Sequence, residues 1–224
     1  MALLDIIGPV MVGPSSSHTA GAAKLGRLAR RAWNGEVNKV DIFLRGSFAS
    51  TYWGHGTDKA LIGGLLGFMP DDERIRDALE IARQRGLEYR FFAESIDGAH
   101  PNSVRFVIYK EDKAMELVGA SLGGGVIELQ EIDGFSISLS GDLAAIITFH
   151  RDQPGVVAAV AGVMAEKGLN IATMRLHRQG RGGRAAMVIE IDGELKESTK
   201  DEILNSHSAL MRVIFIPSPG GDVR

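Results

Sequence analysis

The last third of the chain constrains the fold most. AAIITFH (144–150) is an apolar run of strand length, and PGVVAAVAGVMAEKG (154–168) sets Val156, Val160, Val163 and Met164 on one side at helical spacing. NIATMRLHRQ (170–179) reads as a second strand, and the glycine-rich GRGG (180–183) turns the chain into a third, AAMVIEID (185–192). KESTKDEILNS (196–206) then reads as a helix and ALMRVIFI (209–216) as the closing strand. A βαββαβ order within about 75 residues is the split βαβ of ferredoxin-like domains, with both helices on one sheet face. The other face and an edge strand are then available. Apolar residues on both faces of 209–216 point to a homodimer through this half.

The first half mixes element types. AGAAKLGRLARRAW (20–33) repeats Ala22, Leu25, Leu28, Ala29 and Ala32 at helical spacing, and VNKVDIFLRG (37–46) is a strand with Val40, Ile42 and Leu44 on one face. SFASTYWGHGTD (47–58), rich in small and polar residues, reads as a loop before an apolar helical run from Lys59 to Leu66. Residues 71–85 are the clearest helix: Asp71, Asp72 and Glu73 suit its positive end, Arg83 and Arg85 its last turn, and Gly86 its termination. Its apolar stripe is Ile75, Ala78, Leu79 and Ala82. Strands follow near 87–92, 103–109, 114–121 and 125–132, separated by DGAHPN, KEDK and LGGG. The expected class is α+β, with a mixed α/β domain over 1–138 and the βαββαβ domain over 142–218. The junction FSISLSG (135–141) reads as a short linker.

Composition narrows the function. With 45% hydrophobic and 24% charged residues the chain is a globular one, and a net charge of −3, with no basic excess in either half, argues against nucleic acid. MALLDIIGPVMVG lacks a basic start and is interrupted by Asp5, so no secretory signal is expected. No apolar run approaches the ~20 residues of a membrane span, and a cytoplasmic location follows as an expectation. Cysteine is absent, which excludes disulfides, thiol nucleophiles and any iron–sulfur or thiolate–zinc site built from this chain alone.

GPSSSHT (13–19) places three serines, a histidine and a threonine at a helix start. Ser17 or Thr19 can cap the helix. The surplus of hydroxyls, with free amides and the positive end of the dipole, also suits an anion. The stretch is not G-x-S-x-G, so it is not a hydrolase elbow. Four of the six histidines, His18, His55, His100 and His150, fall in segments that read as loops, where binding groups concentrate. No H-x-x-x-H or H-E-x-x-H spacing supports a metal site, and none is assigned to this chain. GGLLG and GASLGGG lack the strand-to-helix context of a nucleotide loop. Arg175, Arg178, Arg181 and Arg184 gather about the GRGG hairpin, as a solvated tip or an anion contact.

GPSSSHTAGAAKLGRLAR, GSFASTYWGHGTDKALIGGLLG, HPNSV and the LGGG turn, in this order, resemble the beta subunits of two-chain, iron–sulfur-dependent L-serine dehydratases. HRDQPGVVAAVAGVMAEKGLNIA resembles an ACT domain, a small-molecule sensing module of amino-acid enzymes, and the first half is similar to the allosteric substrate-binding domain of some phosphoglycerate dehydrogenases. The resemblance implies an alpha subunit that carries the cysteines for a 4Fe-4S cluster, which this chain does not bind. The implied reaction removes water from L-serine: the cluster acts as Lewis acid on the β-hydroxyl, a base takes the α-proton, and the product enamine gives pyruvate and ammonia. It also implies that Ser15, Ser17, His18 and Thr19 are catalytic, with His18 the candidate for proton transfer. Ser16, His55, Gly56, Thr57, Asp58, His100 and Asn102 form the implied substrate- or anion-binding set. His150, Asp152 and Asn170 are the implied contacts to an amino-acid effector. Related sensing domains often carry asparagine where this chain has Asp152, and an anionic side chain there favours an ammonium and repels a carboxylate. The competing reading is a free-standing amino-acid-sensing dimer with no catalytic partner.

Overall fold

A computed structural model describes residues 10–220. Most of the N-terminal stretch on which the absence of a secretory signal was argued lies outside the described residues. The chain divides into two units, Met1–Asp133 and Gly134–Arg224.

In the first unit a π-helical turn, Ser16–Gly21, runs directly into α1 (Ala22–Trp33). Then come β1 (Lys39–Arg45), α2 (Gly46–His55), α3 (Thr57–Leu65), a 3₁₀ turn (Glu73–Asp77) and α4 (Ala78–Gln84). Four strands complete it: β2 (Glu88–Glu94), β3 (Ser103–Lys110), β4 (Lys113–Gly123) and β5 (Val126–Ile132). Within this unit the strands lie in the order β2-β1-β3-β4-β5. β1 and β2 are parallel, which requires the helical crossover between them, and the remaining pairs are antiparallel. The expected stripes hold: Ala22, Leu25, Leu28, Ala29 and Ala32 of α1 and Val40, Ile42 and Leu44 of β1 are all buried. α1 and α3 cross with bare backbone in contact, because a Cβ on Gly64 would stand 2.1 Å from the Ala23 carbonyl and one on Gly26 2.3 Å from the Leu61 carbonyl. The apolar GGLLG run therefore serves helix packing.

Two local expectations need correction. SFASTYWGHGTD is not a loop but α2 and the first turn of α3. Gly46 (φ 53°) and Gly56 (φ 67°) make the turns at either end, Phe48 anchors the helix by full burial, and the Thr51 hydroxyl donates to the Ser47 carbonyl at 2.7 Å. Small polar side chains that usually compete with a helix are here bonded along it. The helix expected over 71–85 breaks at Asp77 (φ −111°, ψ 13°), its first part being 3₁₀. Asp72 caps it by accepting from the Arg74 N–H at 2.9 Å, and Gly86 (φ 72°) ends it as anticipated.

The second unit opens with β6 (Phe135–Leu139), so FSISLSG is a strand and not a linker. β7 (Ala144–Arg151), α5 (Val156–Glu166), β8 (Asn170–Arg178), β9 (Arg184–Asp192), α6 (Glu197–Asn205) and β10 (Leu210–Ile216) give the expected βαββαβ order. The sheet runs β10-β7-β9-β8, antiparallel throughout. Ile146, Met187, Ile189 and Ile191 meet Val156, Val160, Met164 and Ile203 of the helices in one core. The opposite face was expected to be open. It meets β6 instead, with the Phe135 ring edge-on to Phe149 at 4.9 Å.

Candidate functional site

Gly13 (φ 130°) starts the site, since a Cβ there would stand 2.5 Å from the Thr19 methyl. The chain folds tightly back on itself, and the π-turn places four side chains in one cluster. Ser15, not Ser17 or Thr19, is the cap: its hydroxyl accepts from the His18 N–H at 3.1 Å, and its carbonyl accepts from the Thr19 and Ala20 amides. Amides expected to be free for an anion are thus largely taken, and hydroxyls and an imidazole are what the turn presents.

His18 is bonded on both ring nitrogens. Nδ1 lies 3.1 Å from the Ser17 hydroxyl and 3.4 Å from that of Ser15, and Nε2 lies 3.0 Å from the Ser47 hydroxyl. Its ring stands edge-on to Phe48 (5.3 Å) and tilted against His55 (5.1 Å). Burial, helped by the neighbouring His55, holds its pKa below the ordinary histidine value, against an upward pull from the Ser47 backbone. Near pH 7 the ring is neutral and able both to take up and to give a proton.

The GHGTD residues join from α2 and α3. The Thr19 hydroxyl donates to the His55 carbonyl at 3.3 Å, and His55 is the last residue of α2 rather than a loop residue. Gly56 caps α3, Thr57 is fully buried with no partner for its hydroxyl, and Asp58 is buried behind it. Burial raises the Asp58 pKa, opposed by the Lys59 backbone amide. HPNSV arrives through its backbone: the Pro101 carbonyl accepts from the Phe48 N–H (3.2 Å) and the Asn102 carbonyl from the Ser121 N–H (2.9 Å). The His100 ring accepts from the Asn102 N–H at 3.2 Å, so it orders its own turn.

Several residues here escaped the sequence reading. Ser47 lay in the segment taken for a loop. Ser121 sits against the turn so closely that a Cβ on Gly21 would stand 2.1 Å from its hydroxyl, which has no partner, like the Asn102 side-chain oxygen. A serine just before LGGG was the available signal. Lys24 donates to the Gly125 carbonyl at 2.7 Å and so ties that turn to α1. A cavity of about 400 Å³ adjoins the cluster, with Thr19 and His55 in its wall and the cations Lys59 and Arg76 beside them.

The implied effector residues do not meet within one copy. His150 is a buried β7 residue, not a loop one; burial lowers its pKa, and its Nδ1 lies 3.4 Å from the Thr148 hydroxyl. The Asp152 carboxylate accepts from the Gly182 N–H (3.1 Å) and Arg178 (3.2 Å), and these hold its pKa below the usual carboxylate range. Asn170 donates to Asp192 at 2.6 Å. On β9, His150 pairs with Ala185 and Asn170 with Asp192, about 23 Å apart at strand rise. The arginines do not form one anion site: Arg175 bonds the Ser138 carbonyl, Arg178 bonds Asp152, and Arg184 lies over Phe135.

Among the described residues no group of three or more His, Asp or Glu side chains is placed to hold a metal, and no helix is long and apolar enough to cross a membrane. Fold and site define a class: a mixed α/β domain that presents a serine–histidine cluster, followed by an ACT-type βαββαβ domain. Sequence comparisons divide the chain in the same way, with the serine dehydratase beta chain profile matching residues 3–89 and the ACT domain profile residues 144–207. A probable L-serine dehydratase beta chain of Bacillus subtilis is 46% identical over 215 residues, 96% of each chain. The L-serine dehydratase beta chain of Peptoniphilus asaccharolyticus is 40% identical, over 89% of this chain and 91% of that one. The chain belongs to the L-serine dehydratase beta-chain family. A D-3-phosphoglycerate dehydrogenase of Methanocaldococcus jannaschii is 26% identical over 186 residues, 81% of this chain and 34% of that one, in line with the expected first domain.

Proposed function

We propose that this chain is the beta subunit of an L-serine ammonia-lyase, converting L-serine to pyruvate and ammonia together with an alpha subunit. The observation that carries the reading is similarity to beta chains over nearly the whole of both sequences, which favours a catalytic subunit over a free-standing sensor. The chain has no cysteine, so its residues do not fit a 4Fe-4S cluster, and the cluster belongs in this reading to the alpha chain. What this chain supplies is orientation and proton handling. Ser15, Ser17 and Thr19 fix the turn, and neutral His18 exchanges a proton with the bound amino acid. Of the implied binding set Ser16, His55, Gly56, Thr57, Asp58, His100 and Asn102, His55 and Gly56 line the cavity and the others support it from behind, while Lys59 in the same wall adds the positive charge that a carboxylate substrate requires.

The ACT domain, taken as 142–218, forms a homodimer in this proposal. With the helix-free face covered by β6, the exposed edge strand β8 is the contact, and His150 and Asp152 of one copy then face Asn170 of another across an amino-acid effector. The dehydratase domain is taken as 1–138, and the enzyme is cytoplasmic. The test is reconstitution: the isolated chain is expected to be colourless and inactive on L-serine, and anaerobic addition of the alpha chain to restore pyruvate formation. Turnover of L-serine by the single chain refutes the proposal.

A further inference from the structure

We infer that Ser47 is a positioning residue for His18, its hydroxyl holding Nε2 so that Nδ1, on the Ser15 and Ser17 side, is the nitrogen that meets the substrate. The two sides of the ring differ in how firmly they are built. Ser47 is the second residue of α2, and its place is fixed from several directions. Gly46 takes a left-handed turn (φ 53°) with Pro101 so close that a Cβ at 46 would stand 2.6 Å from the Pro101 Cα. Phe48 is fully buried, donates its N–H to the Pro101 carbonyl and lies edge-on to the His18 ring. The Ser47 carbonyl is bound by the Thr51 hydroxyl. The Ser47–Nε2 bond, at 3.0 Å, is the shortest that the ring makes.

The Nδ1 side is different. Ser15 and Ser17 belong to the half-buried turn, their hydroxyls lie 3.3 Å from each other, and both approach the same nitrogen at 3.1 and 3.4 Å. One nitrogen cannot serve two hydroxyls well, so a substrate group can take the place of one of them at small cost. With the proton on Nε2 and directed at Ser47, the Nδ1 lone pair faces this replaceable side and acts as the base; the Ser47 hydroxyl fixes the tautomer without touching the substrate. This extends the reading of His18 as the proton-transfer group and depends on it.

The test has two arms, whose failures differ. In the isolated chain, nitrogen NMR of ¹⁵N-histidine should find His18 as the Nε2–H tautomer. Ser47→Ala should shift the population toward Nδ1–H, and Ser47→Thr should restore it. In the enzyme reconstituted with the alpha chain, Ser47→Ala should lower kcat by about 10- to 100-fold with KM for L-serine changed less than about twofold, as expected for a misplaced proton-transfer group. Ser47→Thr should recover most of the loss. Ser50→Ala, which removes a hydroxyl bonded to the Ser47 carbonyl but not to His18, should behave as wild type. An Nδ1–H tautomer in the wild-type chain, or Ser47→Ala with normal kcat, overturns the inference. If His18→Ala itself keeps normal kcat, the proton-transfer reading falls, and the NMR arm still decides whether Ser47 holds the ring.

Discussion

Substituting alanine at Gly64 tests how the site is carried by its scaffold. α1 leaves directly from the His18 turn and α3 begins beside Asp58, so the spacing of these two helices sets the spacing of the cluster. A Cβ on Gly64 would stand 2.1 Å from the Ala23 carbonyl oxygen, 2.7 Å from the Arg27 nitrogen and 2.9 Å from the Gly26 Cα. All three are backbone atoms, so no rotamer change relieves the clash, and the helices must part by about 1 Å. Overpacking of this kind costs about 3 kcal/mol at the upper end of its usual range. The better helix propensity of alanine returns about 1 kcal/mol, leaving a net loss of about 2 kcal/mol. Gly63 is the control, because its Cβ would meet only side chains, Ile75 at 3.0 Å and Phe68 at 3.5 Å, which can yield. In Gly63→Ala the same propensity gain of about 1 kcal/mol offsets the cost of moving the Ile75 side chain, so its stability should stay near that of wild type. Both tryptophans, Trp33 and Trp53, lie in the first unit, so urea unfolding followed by tryptophan fluorescence reports that unit alone. The Gly64→Ala midpoint should fall on the order of 1 M while Gly63→Ala stays in place. Equal midpoints for the two variants would refute the backbone-contact reasoning.

Further outcomes follow from the charged groups. Burial raises the Asp58 pKa, so the folded state holds its proton more tightly than the unfolded one and loses stability as pH rises above the ordinary carboxylate range. Asp58→Asn should therefore stabilise the first unit at pH 7, with the gain vanishing near pH 3; destabilisation at pH 7 would contradict this. Burial lowers the His150 pKa, with Thr148 and Asp152 pulling upward and His207 downward. The unfolded chain then takes up the proton first, so stability of the second unit is full above about pH 6.5 and falls below it. Amide protection factors in β7 and β9, which divide out the intrinsic slowing of exchange in acid, should fall on acidification in wild type and much less in His150→Gln. The Asp152–Arg178 pair is open to solvent and screened by it, so Asp152→Ala should barely move the melting temperature but should speed exchange of the Gly182 amide.

The βαββαβ half was legible because each element carries one period of apolar residues and a glycine or polar turn at its end. β6 was not, since five residues of alternating Phe135, Ile137 and Leu139 look like a linker until the sheet they cover is known. The same limit hid α2. Its serines, threonine and glycines signal a loop by composition, and only burial of Phe48 and the turns at Gly46 and Gly56 make it a helix. For the site, the clustering of Ser15, Ser17 and His18 followed from adjacency in the chain. The approach of His55 and of HPNSV came from the resemblance and not from spacing. Ser47 and Ser121 were missed because a hydroxyl contributes nothing to hydrophobic periodicity, and their importance rests on tertiary partners 29 and 100 residues away in sequence.

The most direct measurement is the turnover of His18→Ala reconstituted with the alpha chain, assayed at saturating L-serine beside the absorbance of the iron–sulfur cluster. If His18 moves the proton, kcat should drop by about 10²–10⁴-fold with cluster absorbance and subunit assembly unchanged. A near-normal kcat with an intact cluster would make His18 a structural residue of the turn and contradict the role given to the serine–histidine cluster.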